Sequence, residues 1–167
     1  GYPGDVYESP WASFKPKGGP PWKVGFSNNQ ASLYGTGVLN GIKKQVSANP
    51  DQVSDVVALT PAKPNDVTTQ IQQMRSLLQQ DVDIIFALLS SPTALNAVID
   101  QAAKQGVPVI SIAGQSTSKN AINLQPNPTH LGYYGAAGLV NAMGGDGGNV
   151  LIVQAIPGLT YNTQVLD

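Results

Sequence analysis

The chain of 167 residues is 41% hydrophobic and 11% charged, with a formal net charge of −1. That is enough apolar material for one packed domain of ordinary size, and the near-neutral balance argues against nucleic acid or an anionic membrane surface as a partner. Cysteine is absent, which excludes disulfides, thiolate metal sites and cysteine nucleophiles.

The longest apolar run is far short of the ~20 residues that a bilayer crossing needs. With no signal segment at its start, the chain reads as either cytosolic or exported with its signal removed. Residues 1–21, "GYPGDVYESPWASFKPKGGPP", are proline-rich without a hydrophobic period. They read as an extended lead-in or linker, pinned by Trp11 and Phe14.

The ordered part is expected to begin at "WKVGFS", 22–27, the first of four apolar runs that read as strands. The others are "VSDVVALT" at 53–60, "DIIFALL" at 83–89 and "VPVISI" at 107–112. Helical windows lie between them. Val67, Ile71, Met74 and Leu78 share one face of a helix, as do Leu95, Val98, Ile99 and Ala102 in the next, which Gly106 terminates. Asn65 is the expected N-cap of the former and Ser91 of the latter, with Pro92 at its first position. Strands joined by helical crossovers form a parallel sheet with right-handed connections. The fold class is therefore α/β, with a Rossmann-like parallel sheet. Further on come a short strand at 121–125, a helix from about Thr129 to Met143, the turn "GGDGG", a strand "NVLIVQA" at 149–155 and a helix start near Thr160.

Ligands of an open parallel sheet bind at the carboxyl ends of its strands. Here those ends carry "SNNQAS" (27–32), "TPAKPND" (60–66), "SSPT" (90–93), "AGQSTS" (113–118) and "AIPGLTYN" (155–162). They are rich in amides and hydroxyls and nearly free of charge, which suits a neutral, polyhydroxylated small molecule whose OH groups must be satisfied once buried. Ser90 and Ser91 sit where a strand ends and a helix begins, so either could face such a molecule, although capping alone accounts for Ser91-Pro92. Tyr34 could stack on a sugar ring or simply cover the sheet edge.

Catalytic chemistry finds little support. His130 is the sole histidine and falls in a helical N-terminal turn, where a solvated or capping role is the ordinary one. Asp81 and Asp83 precede their strand and so lie away from the crevice. "GGDGG" comes before a strand, the wrong order for a phosphate cradle, and "GTG" at 35–37 lacks the third glycine and the acid of a dinucleotide fingerprint. Neither catalytic residues nor a metal site nor a cofactor is expected.

With its segments "KVGFSNN…YGTGVLNGIKK", "DVTTQIQQMRSLLQQDVDIIFALLSSPTALNAVIDQAAKQGVPVIS" and "GNVLIVQAIPG", the chain resembles the periplasmic sugar-binding proteins of the ribose-binding type, the substrate receptors of ABC importers, from about Lys23 to Asp167. The resemblance implies two α/β lobes that close on a ligand. Residues 22–122 would form most of the first lobe, 123–128 a hinge crossing, and 129–167 the beginning of the second. The remainder would come from elsewhere, a second chain being the expected source. The resemblance places ligand contacts at Asn28, Asn29, Tyr34, Ser90, Ser91, Gly114, Gln115, Asn127, Tyr161 and Asn162. It also implies a membrane permease as partner and a periplasmic or extracellular location.

Two departures bear on the ligand. Ala113-Gly114 stands where many pentose and hexose binders carry an Asp-Arg pair, and "TYNTQVLD" has no arginine. Charge-assisted bonds to hydroxyls are about twice as strong as neutral ones, so a sugar alcohol or modified sugar fits at least as well as a standard sugar. Two other readings compete. The effector domain of a LacI-type regulator would need a helix-turn-helix, which the proline-rich 1–21 does not supply. A flavodoxin-like enzyme would need a phosphate loop or catalytic cluster at the strand ends.

Overall fold

The computed structural model describes residues 9, 11–16, 18–144 and 147–152. Five strands, β1 (Trp22–Ser27), β2 (Val53–Leu59), β3 (Ile84–Ala87), β4 (Val109–Ile112) and β5 (Ala121–Leu124), form one sheet in the order β2-β1-β3-β4-β5. All neighbouring pairs are parallel. Helices α1 (Leu33–Ala48), α2 (Val67–Gln79) and α3 (Asn96–Lys104) make the first three crossovers, and α4 (Pro128–Ala142) follows β5. Parallel neighbours require such crossovers because a tight turn can only reverse the chain. The connection 113–120 manages it with no helix.

One face of the sheet is packed to completion. Ile85, Ala87 and Val109 meet Met74, Leu77 and Leu78 of α2 and Val98, Ile99 and Ala102 of α3, all at most 7% exposed. Each large aliphatic side chain so buried contributes on the order of 1.5–3 kcal/mol. Gly25 in β1 belongs to this contact. A Cβ there would lie 3.2 Å from Leu77 Cδ1 and 3.3 Å from both Ile85 Cγ1 and Val82 Cγ2, so glycine is what lets α2 come down on the strand. On the opposite face Val24 and Phe26 are buried. An apolar cleft of about 700 Å³ there separates α1 residues Val38, Ile42 and Val46 from Trp22, Ile84 and Phe86, with Phe14 of the lead-in at its rim.

Within the lead-in Trp11 is held in place: its Nε1 donates to Asn120 O at 2.8 Å and its ring meets Phe14 edge-on at 5.2 Å.

Three expectations change. The N-cap of α2 is Asp66, whose Oδ1 accepts from Thr69 N at 3.0 Å and Oδ2 from the Thr69 hydroxyl at 2.9 Å. Asn65 precedes it at φ 54°, a left-handed conformation that asparagine tolerates better than most residues. Ser91 caps a turn over 92–95, accepting from Ala94 N at 3.2 Å, and α3 proper starts at Asn96. The reason is tertiary: Pro92 O accepts from Thr117 N at 2.9 Å, so the connection 113–120 holds this turn. Residues 149–152 form no strand, and Val150, Leu151 and Ile152 are at least half exposed, with no sheet neighbour among the described residues to pair with. The rest of that expected strand and the helix start near Thr160 lie outside the described residues.

Candidate ligand site

β1 sends its chain outward to β2 on one side and has β3, reached from β2, on the other. Connections therefore diverge between β1 and β3 and open a crevice at their carboxyl ends. A pocket of about 260 Å³ lies there, lined from β1's end by Asn29 and Gln30, from α1 by Tyr34, from β3's end by Leu88 and Leu89, and from β4's end by Gly114 and Gln115. No charged side chain lines it.

Local sequence shapes each wall. The Ser32 hydroxyl accepts from Gly35 N at 3.0 Å, a cap that starts α1 and sets Tyr34, in the helix's first turn, against the pocket. Asn29 is braced from below: its Nδ2 donates to Asn65 Oδ1 at 3.1 Å, and its carbonyl accepts from Asn65 N at 2.8 Å. After β4 the chain turns sharply through Ala113 at φ 56°, and the Ser111 hydroxyl donates to Gly114 O across the turn. The segment carrying Gln115 is then clamped by Asn123, which accepts from Ser116 N at 2.9 Å and donates to Ser116 O at 3.1 Å. Ser118 and Asn120 donate to Asp100 at 2.5 and 2.9 Å. The Ser118 hydroxyl first, then the Asn120 amide, with Lys104 helping, holds the Asp100 carboxyl below its ordinary value. Asp66 is held low in the same sense, by the Thr69 N–H first and its hydroxyl second.

The residues expected to touch ligand divide into groups. Asn29, Tyr34, Gly114 and Gln115 come together around the pocket. Asn28 is buried at 5% exposure with its amide packed on Gly35, where a Cβ would fall 2.7 Å from Nδ2. The Ser90 hydroxyl donates to Gln70 Oε1 at 2.6 Å, and Ser91 is occupied in its cap. Asn127 caps α4, its Oδ1 accepting from His130 N at 3.1 Å. Tyr161 and Asn162 lie outside the described residues. Sequence reasoning missed the apolar floor, Leu88, Leu89 and Ile112. Their place immediately at or after a buried strand's last rung was the available signal.

The site can surround a small molecule with amide groups, one phenol and an apolar floor. That combination fits the hydroxyl edges and C–H faces of a polyol. Among the described residues no group of three His, Asp or Glu side chains could hold a metal ion.

A xylitol-binding protein of Mycolicibacterium smegmatis is 32% identical over 91 residues, which are 54% of this chain and 26% of that protein. An ABC transporter solute binding protein from Thermobispora bispora superposes with a TM-score of 0.74 at 26% identity, over 87% of this chain and 46% of the other. An ABC transporter periplasmic solute binding protein from Actinobacillus succinogenes, with bound D-allose, gives 0.78 at 19% identity, over 86% and 52%, a likeness of fold. The chain thus spans about a quarter of the first relative and about half of the two solved structures. The periplasmic binding protein domain family matches residues 24–167, and the chain belongs to that family.

Proposed function

We propose that this chain supplies a ligand-binding lobe of a solute receptor that serves an ABC importer and takes a small neutral polyol: a sugar, sugar alcohol or modified sugar. The observation that carries the reading is the uncharged pocket where the carboxyl ends of β1, β3 and β4 meet. Within it Asn29 and Gln115 offer both donors and acceptors, and Tyr34 offers a ring face. The relative named for xylitol supports a sugar alcohol, as does the absence of any carboxylate or guanidinium from the pocket lining.

In this reading 22–122 is the first lobe, 123–128 a hinge crossing and 129–167 the opening of a second lobe, with Asn127, Tyr161 and Asn162 facing the ligand from the hinge and second lobe. The remainder of the second lobe comes from polypeptide beyond this chain. Ligand contacts to both lobes stabilise a closed form that docks on a membrane permease outside the cytoplasm. The role is binding, with no bond made or broken.

Calorimetric titration tests this. Xylitol or D-allose is expected to give saturable heat, and a phosphorylated analogue of similar size is expected to give none. Saturable binding of the phosphorylated analogue alone would overturn the reading. A native mass spectrum tests the two-part assembly: masses above 17.4 kDa from two unequal chains support it, and a bare monomer that binds xylitol contradicts it.

A further inference from the structure

We infer that Gln70, on α2 and outside the pocket, is a positioning residue that sets the pocket floor, an inference that rests on the ligand-binding reading above. Gln70 is fully buried at 0% exposure, unusual for a long polar side chain. Its Nε2 donates to Leu88 O at 2.7 Å and to Ser27 Oγ at 3.2 Å, and its Oε1 accepts from Ser90 N at 2.9 Å and from Ser90 Oγ at 2.6 Å. Both donors and both lone pairs of the amide are thereby used. Its orientation is unambiguous, since a carbonyl can only accept and a backbone N–H can only donate.

The partners are the two strand ends that build the site. Ser27 is the last residue of β1, and Leu88 N donates to Ser27 O at 2.9 Å as the final rung between β1 and β3. Past that rung the chain leaves the ladder, and the buried Leu88 O and the half-buried Ser90 N have no further strand partner. The Gln70 amide stands in for the missing peptide and closes the gap between them. Leu88 and Leu89, held in this way from behind, line the pocket beside Asn29 and Gln115. No shorter or singly functional side chain on α2 can bind donor and acceptor together. Asparagine lacks the reach, glutamate lacks the N–H groups, and methionine has the length but neither the donors nor the oxygen acceptor.

Two variants separate positioning from mere packing. Gln70→Glu keeps an acceptor for Ser90 and turns a lone pair toward Leu88 O; Gln70→Met keeps length and apolar volume and loses all four bonds. Affinity for xylitol is measured by calorimetry at a temperature well below the unfolding midpoint of each variant, together with amide hydrogen exchange. The expected result is a loss of about tenfold or more in affinity for both, the binding-competent floor being populated about a tenth of the time or less once the amide no longer holds it. Faster exchange should be confined to Leu88–Ser91 while α3 stays protected. If neither variant folds, Ser27→Ala removes one bond of the same amide, away from the pocket lining, and is expected to weaken binding several-fold. Folded variants with unchanged xylitol affinity would overturn the positioning role and leave the ligand-binding reading intact. A wild-type protein that binds none of the neutral polyols overturns both.

Discussion

Asn65 and Asn29 are joined twice, backbone to backbone at 2.8 Å and side chain to side chain at 3.1 Å. Asn65 holds a left-handed φ of 54° to do so. The loop before α2 is thus the brace for a pocket residue after β1.

Asn65→Ala removes the Oδ1 acceptor and places a residue poorly suited to positive φ in the bend. A loss of about 1–3 kcal/mol is expected from conformation and hydrogen bond together. Asn65→Gly keeps the conformation and should lose less. Urea unfolding of the two variants checks the order. Equal stability of both with the wild type would mean the brace contributes nothing.

Two glycines of α1 should respond oppositely to alanine. At Gly35 a Cβ would meet the Asn28 amide at 2.7 to 2.9 Å, so Gly35→Ala must displace a buried side chain, at about 1–3 kcal/mol. Gly41 has nothing within 4 Å, and Gly41→Ala should gain about 0.5–1 kcal/mol from helix propensity. Thermal unfolding should show the midpoint falling for the first and rising for the second.

Stability should fall in acid through Asp100. Its carboxyl is held below the ordinary value of 3.8 by Ser118 and Asn120. A folded-state value below the unfolded one means the unfolded chain binds protons first. The stabilisation is therefore complete above the unfolded value and is lost as pH drops through the lower, folded one. Asp100→Asn should be less stable than wild type near neutrality, with a shallower decline below about pH 4. Urea midpoints followed across that range measure it, and parallel curves for the two proteins would contradict it.

Much of the fold was legible because buried parallel strands write continuous apolar runs, and "IIFA" at 84–87 is one. The face of α2 was legible for the same kind of reason: Met74 and Leu78 recur at helical spacing and are buried. What sequence alone obscured depends on distant partners. The place of Ser90 at a strand end is plain in the sequence, but not that its hydroxyl donates to Gln70, twenty residues earlier. Ser91-Pro92 has the form of a helix start, but Thr117 holds the next turn out of α3. Asn65 and Asp66 are adjacent capping residues, and the bonds to Asn29 decide between them. Around the pocket the strand ends pointed to Asn29 and Gln115, while Leu88 and Leu89, just past the last rung of a buried strand, read as a mere continuation of its apolar run although they line the same pocket.

The most direct test of the account is a titration of the isotope-labelled protein with xylitol, followed by amide chemical shifts. The account predicts saturable shifts at Asn29, Tyr34, Leu88, Leu89, Gly114 and Gln115, around the pocket these residues line, and their reduction in Tyr34→Ala. Saturable shifts confined to the apolar cleft beneath α1, at Val38, Ile42 and Phe86, would contradict it.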